Sequence, residues 1–231
     1  MGARAQGRKI TGRTVRAIDE LTVSLGSVEG DMIAQLRGLR ARFDQLDTCL
    51  SLLGPSSAEA EAELGVSESA RHALEPLVEM VALDDINTPP FSPDFRQRIG
   101  YATALLSAMR CRVSDRTDRV RTSVVKKQAK GQYGAMHESW TTFRTDPSLD
   151  NLGRLEARAC SLSSFYWALS LDEAEPRVRA ILRLCELLDR AADRDGDLND
   201  VPALVRELNQ AASELTRPSV TEHWAWIESL R

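Results

Sequence analysis

The sequence predicts an all-α fold: an elongated helical bundle with two long antiparallel coiled-coil-like helices, plus a compact C-terminal helical region. Three observations carry this expectation. Ile18, Leu25, Met32, Leu39, Leu46 and Leu53 are apolar and seven residues apart, with Leu21, Val28, Leu36, Phe43 and Leu50 in a second row beside them. Such spacing makes a continuous helical seam for other helices. Only 5% of the chain is aromatic while 42% is hydrophobic, so the core must come mainly from Leu, Val, Ile and Ala. No stretch of useful length alternates in the manner of a strand.

The elements follow in order. Residues 1–12 hold three glycines and several basic residues without apolar periodicity, and read as a flexible basic arm. The first long helix is expected from Thr14 to Leu53, closed by Gly54-Pro55. Its second apolar row shifts near Gln35, as it would in a helix with several neighbours. Gly26, Gly30 and Gly38 each weaken it by roughly 1 kcal/mol relative to Ala, which packing must offset. Residues 56–86 carry eight acidic side chains against Arg71 alone. Ser67 is placed to cap a helix bearing Ala70, Leu74, Leu77 and Val81, with Pro76 disturbing its interior. Residues 86–93 read as a loop, and Ser92-Pro93 as the start of a second long helix. That helix is expected to reach Lys130 along Phe95, Ile99, Ala102, Leu106, Met109, Val113, Val120 and Val124, with Gly131 closing it.

Shorter helices follow. Met136, Trp140 and Phe143 share a face. Leu152, Leu155, Ala159, Leu162, Tyr166 and Leu169 have clean helical spacing. Val178, Ile181, Cys185, Leu188 and Ala192 mark the next helix, and Leu204, Leu208, Ala211 and Leu215 the one opened by Pro202. Val220, Trp224 and Ile227 mark the last. The implied organisation is an arm over 1–12, a long-helix spine over 13–131 and a helical region over 132–231 packed on it, or one continuous domain. No fixed period of a helical-repeat array is found.

A net charge of −4 argues against an overall basic nucleic-acid binder. Arginine outnumbers lysine by 26 to 4 along the whole chain, which reads as a genomic coding bias. The four cysteines, at 49, 111, 160 and 185, form no C-x-x-C pair and fit buried free thiols in a reducing cytoplasm. No apolar run is long enough for a membrane span, and the basic N-terminus lacks the apolar stretch of a signal peptide. Gln6 breaks the myristoylation pattern that Gly2 begins.

Two surfaces are candidates for binding. Arg112, Arg116, Arg119, Lys126 and Lys130 follow steps of four, three, seven and four, so they line one helical face about 27 Å long. Such a face could follow a phosphate backbone. Asp115 and Asp118 partly neutralise it, and it could instead meet solvent, the acidic 59–85 segment or an acidic partner. Trp224 and Trp226, about 200° apart on a helix, are candidate anchors for a protein partner.

The remaining motifs fail. Counted from Asp193, a calcium loop needs Gly where Leu198 stands and Glu where Leu204 stands. His137-Glu138 begins a zinc-protease motif, but Thr141 occupies the second histidine's position. No catalytic, cofactor or metal residues are assigned. The expected role is a non-enzymatic scaffold or accessory subunit of a cytoplasmic complex, with protein partners or self-association. The alternative is a nucleoprotein subunit that contacts DNA or RNA backbone through the basic helix 110–130.

Overall fold

The computed structural model describes residues 3–26, 32–53, 65, 67–69, 72, 93–114, 122–192 and 202–230. The described residues are helical apart from short connecting turns, without strands. The helices are α1 (Ala3–Gly26), α2 (Met32–Leu53), α3 (Pro93–Ser114), α4 (Thr122–Thr145), α5 (Leu149–Ala168), α6 (Pro176–Ala192), α7 (Pro202–Thr216) and α8 (Val220–Ser229). Among the described residues, no helix is long and apolar enough to cross a membrane. The chain divides into two compact units, Gly2–Val120 and Arg121–Arg231.

In the first unit, α1 packs on both α2 and α3. Its buried face is correspondingly wide: Ile10, Thr14, Ala17, Ile18, Leu21 and Leu25 are all covered. The single helix expected over Thr14–Leu53 is corrected to a helical pair. Glu20 accepts from Arg42 Nη1 at 2.7 Å, whereas 22 residues of continuous helix would separate them by about 33 Å. Thr14 hydrogen-bonds Cys49, so residue numbers fall along α2 as they rise along α1, and the pair is antiparallel. α1 ends at Gly26, inside the expected helix.

The flexible arm expected over 1–12 is also corrected, because α1 begins at Ala3 and buries Gln6, Ile10 and Thr11. Polar residues occupy this face, which hides it from a search for apolar periodicity. Thr14 Oγ1 donates to the Ile10 carbonyl at 2.8 Å, so its hydroxyl is satisfied within the helix. Ser67 is already helical and fully buried, and its hydroxyl donates to Asp47 Oδ1 at 2.5 Å rather than capping. Gly65, Glu68, Ser69 and His72 are helical as well, and the remainder of the acidic 56–86 segment and the 86–92 loop lie outside the described residues.

In the second unit, α4 packs on α5, α7 and α8, while α6 packs on α5 and α7. The four longer helices thus form a closed ring of contacts. Leu152, Leu155, Ala159, Leu162, Tyr166 and Leu169 of the α5 seam are buried as spaced, as are Leu204, Leu208, Ala211 and Leu215 of α7. On α6 the buried face holds Val178, Ile181, Leu184, Leu187, Leu188 and Ala191, with Cys185 only half-buried at its edge.

The second long helix expected over Pro93–Lys130 appears as α3 and α4, and 115–121 lie outside the described residues. Gly131 does not end a helix: α4 continues through it to Thr145 and absorbs the short helix expected around Trp140. A Cβ added at Gly131 or Gly134 would meet nothing within 4 Å. Glycine there costs backbone entropy without relieving a clash. Gly131→Ala and Gly134→Ala are each expected to raise stability by about 0.5–1 kcal/mol, read as a higher denaturation midpoint at unchanged m-value.

Candidate functional site

Local signals position the aromatic end of the second unit. α5 ends with Ser170 at φ 56, a left-handed residue that lets the Leu171 N–H return to the Tyr166 carbonyl at 3.2 Å. α8 opens on a capping box: Ser219 Oγ accepts from the Glu222 N–H, and Glu222 accepts from the Ser219 N–H at 2.7 Å. Those bonds hold the Glu222 carboxyl below its usual range. His223 follows directly and enters the core.

His223 is fully buried and stacks on Tyr133, with ring centroids 4.0 Å apart and planes 10° from parallel. Its Nε2 lies 3.5 Å from the Tyr166 hydroxyl. The Tyr133 hydroxyl donates to the carbonyls of Leu215 at 3.1 Å and Pro218 at 2.6 Å, and so ties α4 to the turn between α7 and α8. Trp226 meets Tyr166 edge-on at 5.5 Å, and the Arg177 guanidinium sits 4.8 Å over its ring.

Burial dominates the electrostatics. It pushes the His223 imidazole down to about 3, helped by the positive Arg177, so this ring is neutral at physiological pH. Burial pushes the Tyr133 phenol up to about 12 and raises Tyr166 further. His223 Nδ1 and Arg177 Nη1 are buried without a hydrogen-bond partner. Tyr133 and Tyr166 are each 1% exposed and His223 is 0% exposed, so the cluster offers no open ring face to a reactant.

Most of the expected basic face falls outside the described residues. Arg112 belongs to α3 and its side chain lies outside the described set, as do Arg116 and Arg119 entirely. Lys126 and Lys130 are exposed on α4, with Lys127 exposed beside them. Lys126 Nζ also lies 5.8 Å over the Trp224 ring. Trp224 is 5% exposed, and Trp226 is half-buried against Tyr166, His223 and Arg177. No family model matches the chain, and neither curated proteins nor solved structures give a match.

A surface that periodicity alone did not single out lies on α3. Ala102, Leu106, Met109 and Val113 are buried at steps of four, three and four. On the opposite side Gln97, Tyr101, Ala104, Ala108 and Cys111 are exposed at steps of four, three, four and three. At 100° per residue the two stripes are centred about 150° apart, and the outer one is about 21 Å long. It carries no charge, and Tyr101 is 55% exposed. By helical register Arg96 and Arg112 fall at its edges. Among the described residues no group of three or more His, Cys, Asp or Glu is placed to hold a metal ion. The acidic cluster at 193–200 lies outside the described residues.

Proposed function

We propose that this chain is a non-enzymatic assembly subunit of a cytoplasmic complex, in which the outward face of α3 seats an acidic amphipathic helix of a partner protein. The observation that carries this reading is the uncharged, exposed Tyr101–Ala104–Ala108–Cys111 stripe at helix-packing spacing. Small side chains let a second helix approach closely, and Tyr101 supplies contact area. Charge selects the occupant. α3 holds Arg96, Arg98 and Arg112 against Asp94, while its fourth arginine, Arg110, is already paired with Asp19 of α1. A second copy would oppose arginines with arginines, whereas acidic flanks would complement them.

A second reading has its own observation: Lys126, Lys127 and Lys130 are all exposed on α4. They would suit contact with a nucleic-acid backbone, and each phosphate contact would add about one to the salt slope.

One experiment separates the two. The tagged chain is recovered from its host with and without nuclease, beside Ala104→Glu/Ala108→Glu and Lys126→Glu/Lys127→Glu/Lys130→Glu variants. All three should give the same helical circular dichroism, since the altered positions are exposed. The assembly reading expects a stoichiometric protein that survives nuclease and high salt, is lost from the α3 variant, and cross-links through an acidic amphipathic helix. Retention of that protein by the α3 variant, or recovery of no protein at all, overturns it. Nucleic acid recovered by the α3 variant and lost from the lysine variant establishes the second reading instead.

A further inference from the structure

Cys160 on α5 and Cys185 on α6 lie close enough for each thiol to feel the other. The helices that carry them pack directly on each other. Both cysteines are half-buried, so neither is sealed in the core. The other two cysteines have different surroundings: Cys49 is buried against Thr14, and Cys111 is exposed on α3. Glu156 and Asp189, each four residues from the cysteine on its own helix, bear electrostatically on Cys185. Neither carboxylate can take part in thiol exchange, but both make a thiolate costly to form.

We propose that Cys160 and Cys185 form a reversible disulfide site that staples α5 to α6, with a low-molecular-weight disulfide as the oxidant. One protein thiolate attacks glutathione disulfide, breaking its S–S bond and forming a mixed disulfide as the first glutathione leaves. The second protein thiolate attacks the protein sulfur of that mixed disulfide and expels the second glutathione. The protein loses two electrons and two protons, and two molecules of glutathione thiol carry them away. The nearness of the two thiols makes the second step intramolecular. The sulfurs must then close to about 2.05 Å. The Cys160 hydrogen bond, burial and the two carboxylates hold the Cys185 thiol protonated. The exchange is therefore slow.

The test uses the full-length protein incubated with glutathione disulfide, blocked with N-ethylmaleimide and digested with trypsin without reduction. Cleavage after Arg158, Arg177, Arg183 and Arg190 puts the two cysteines in separate peptides, 159–177 and 184–190. The expected product is these peptides joined, two hydrogen masses below their sum and separated by dithiothreitol. Cys160→Ser and Cys185→Ser each abolish it, while Cys49→Ser and Cys111→Ser leave it in place. Glutathionylation of Cys111 confirms that the oxidant has acted. Recovery of 159–177 and 184–190 as separate peptides in that sample, alkylated or glutathionylated, overturns the proposal.

Discussion

Acidification from pH 7 to pH 4 is expected to cost the Arg121–Arg231 unit about 3 kcal/mol through His223 alone. The folded imidazole titrates near 3 because it is buried and faces Arg177. In the unfolded chain it titrates near the ordinary value of about 6.5. Between those values the unfolded state holds a proton that the folded state refuses, so stability falls as pH falls. The loss begins near pH 6.5, reaches about 1.4 kcal/mol at pH 5.5, and levels off near pH 3 at about 5 kcal/mol. Denaturant unfolding, followed by tryptophan emission at several pH values, measures the slope. His223→Phe keeps an aromatic ring against Tyr133 and removes the proton site. The difference in slope between the two proteins isolates His223 from the carboxylates, and equal slopes would show that the ring does not resist protonation.

Tyr133→Phe is expected to destabilise the same unit by about 1–3 kcal/mol, the range for leaving buried hydrogen-bonding groups unsatisfied. Its hydroxyl serves two carbonyls, Leu215 and Pro218, where α7 hands over to α8. Removing one oxygen leaves both acceptors without this donor and keeps the ring stacked on His223. Tyr133→Ala removes the ring as well and should cost about 3–5 kcal/mol, in line with other large-to-small core changes. The two variants separate anchoring from packing. Amide exchange should quicken across α8 in the Phe variant and across the whole helical ring in the Ala variant. A Phe variant with unchanged stability would mean that water satisfies the carbonyls equally well.

Where a helix buries one apolar stripe against neighbours, its existence was legible from spacing, as with Leu152 to Leu169 on α5 and Leu204 to Leu215 on α7. Boundaries were not. The seven-residue row runs from Leu25 to Met32 without losing phase, because both members of an antiparallel pair can carry the same repeat. Only Gly26 and Gly30 hinted at the break. Gly131 misled in the opposite direction: α4 accommodates it in mid-helix at a modest entropic cost. The start of α1 was hidden because Gln6, Thr11 and Thr14 form its buried face, and a polar face does not register as a seam.

The buried aromatic cluster was missed for a different reason. Tyr133, Tyr166 and His223 come from three helices, and no local spacing links them. The available signal was small: Tyr166 already sat within an apolar row, and His223 stood beside two tryptophans. Trp224 and Trp226 fall about 200° apart around α8 by register. Both nevertheless found neighbours, because Tyr166 and Arg177 cover the side that Trp226 faces. The outer stripe of α3 was present in the sequence as a second four-three repeat. Alanine, tyrosine and cysteine there look unremarkable until burial shows which repeat faces inward.

The antiparallel register of α1 and α2 restricts how this hairpin can change length over evolutionary time. Glu20 meets Arg42 and Thr14 meets Cys49 like rungs between rails running in opposite directions. Deleting one heptad from α1 alone would slide the rungs beyond it by about 10 Å along the partner. Deleting a heptad from each helix, between the same two rungs, would leave the remaining rungs aligned. Lineages carrying this hairpin should therefore gain or lose length in matched pairs, and a change confined to one rail should be rare.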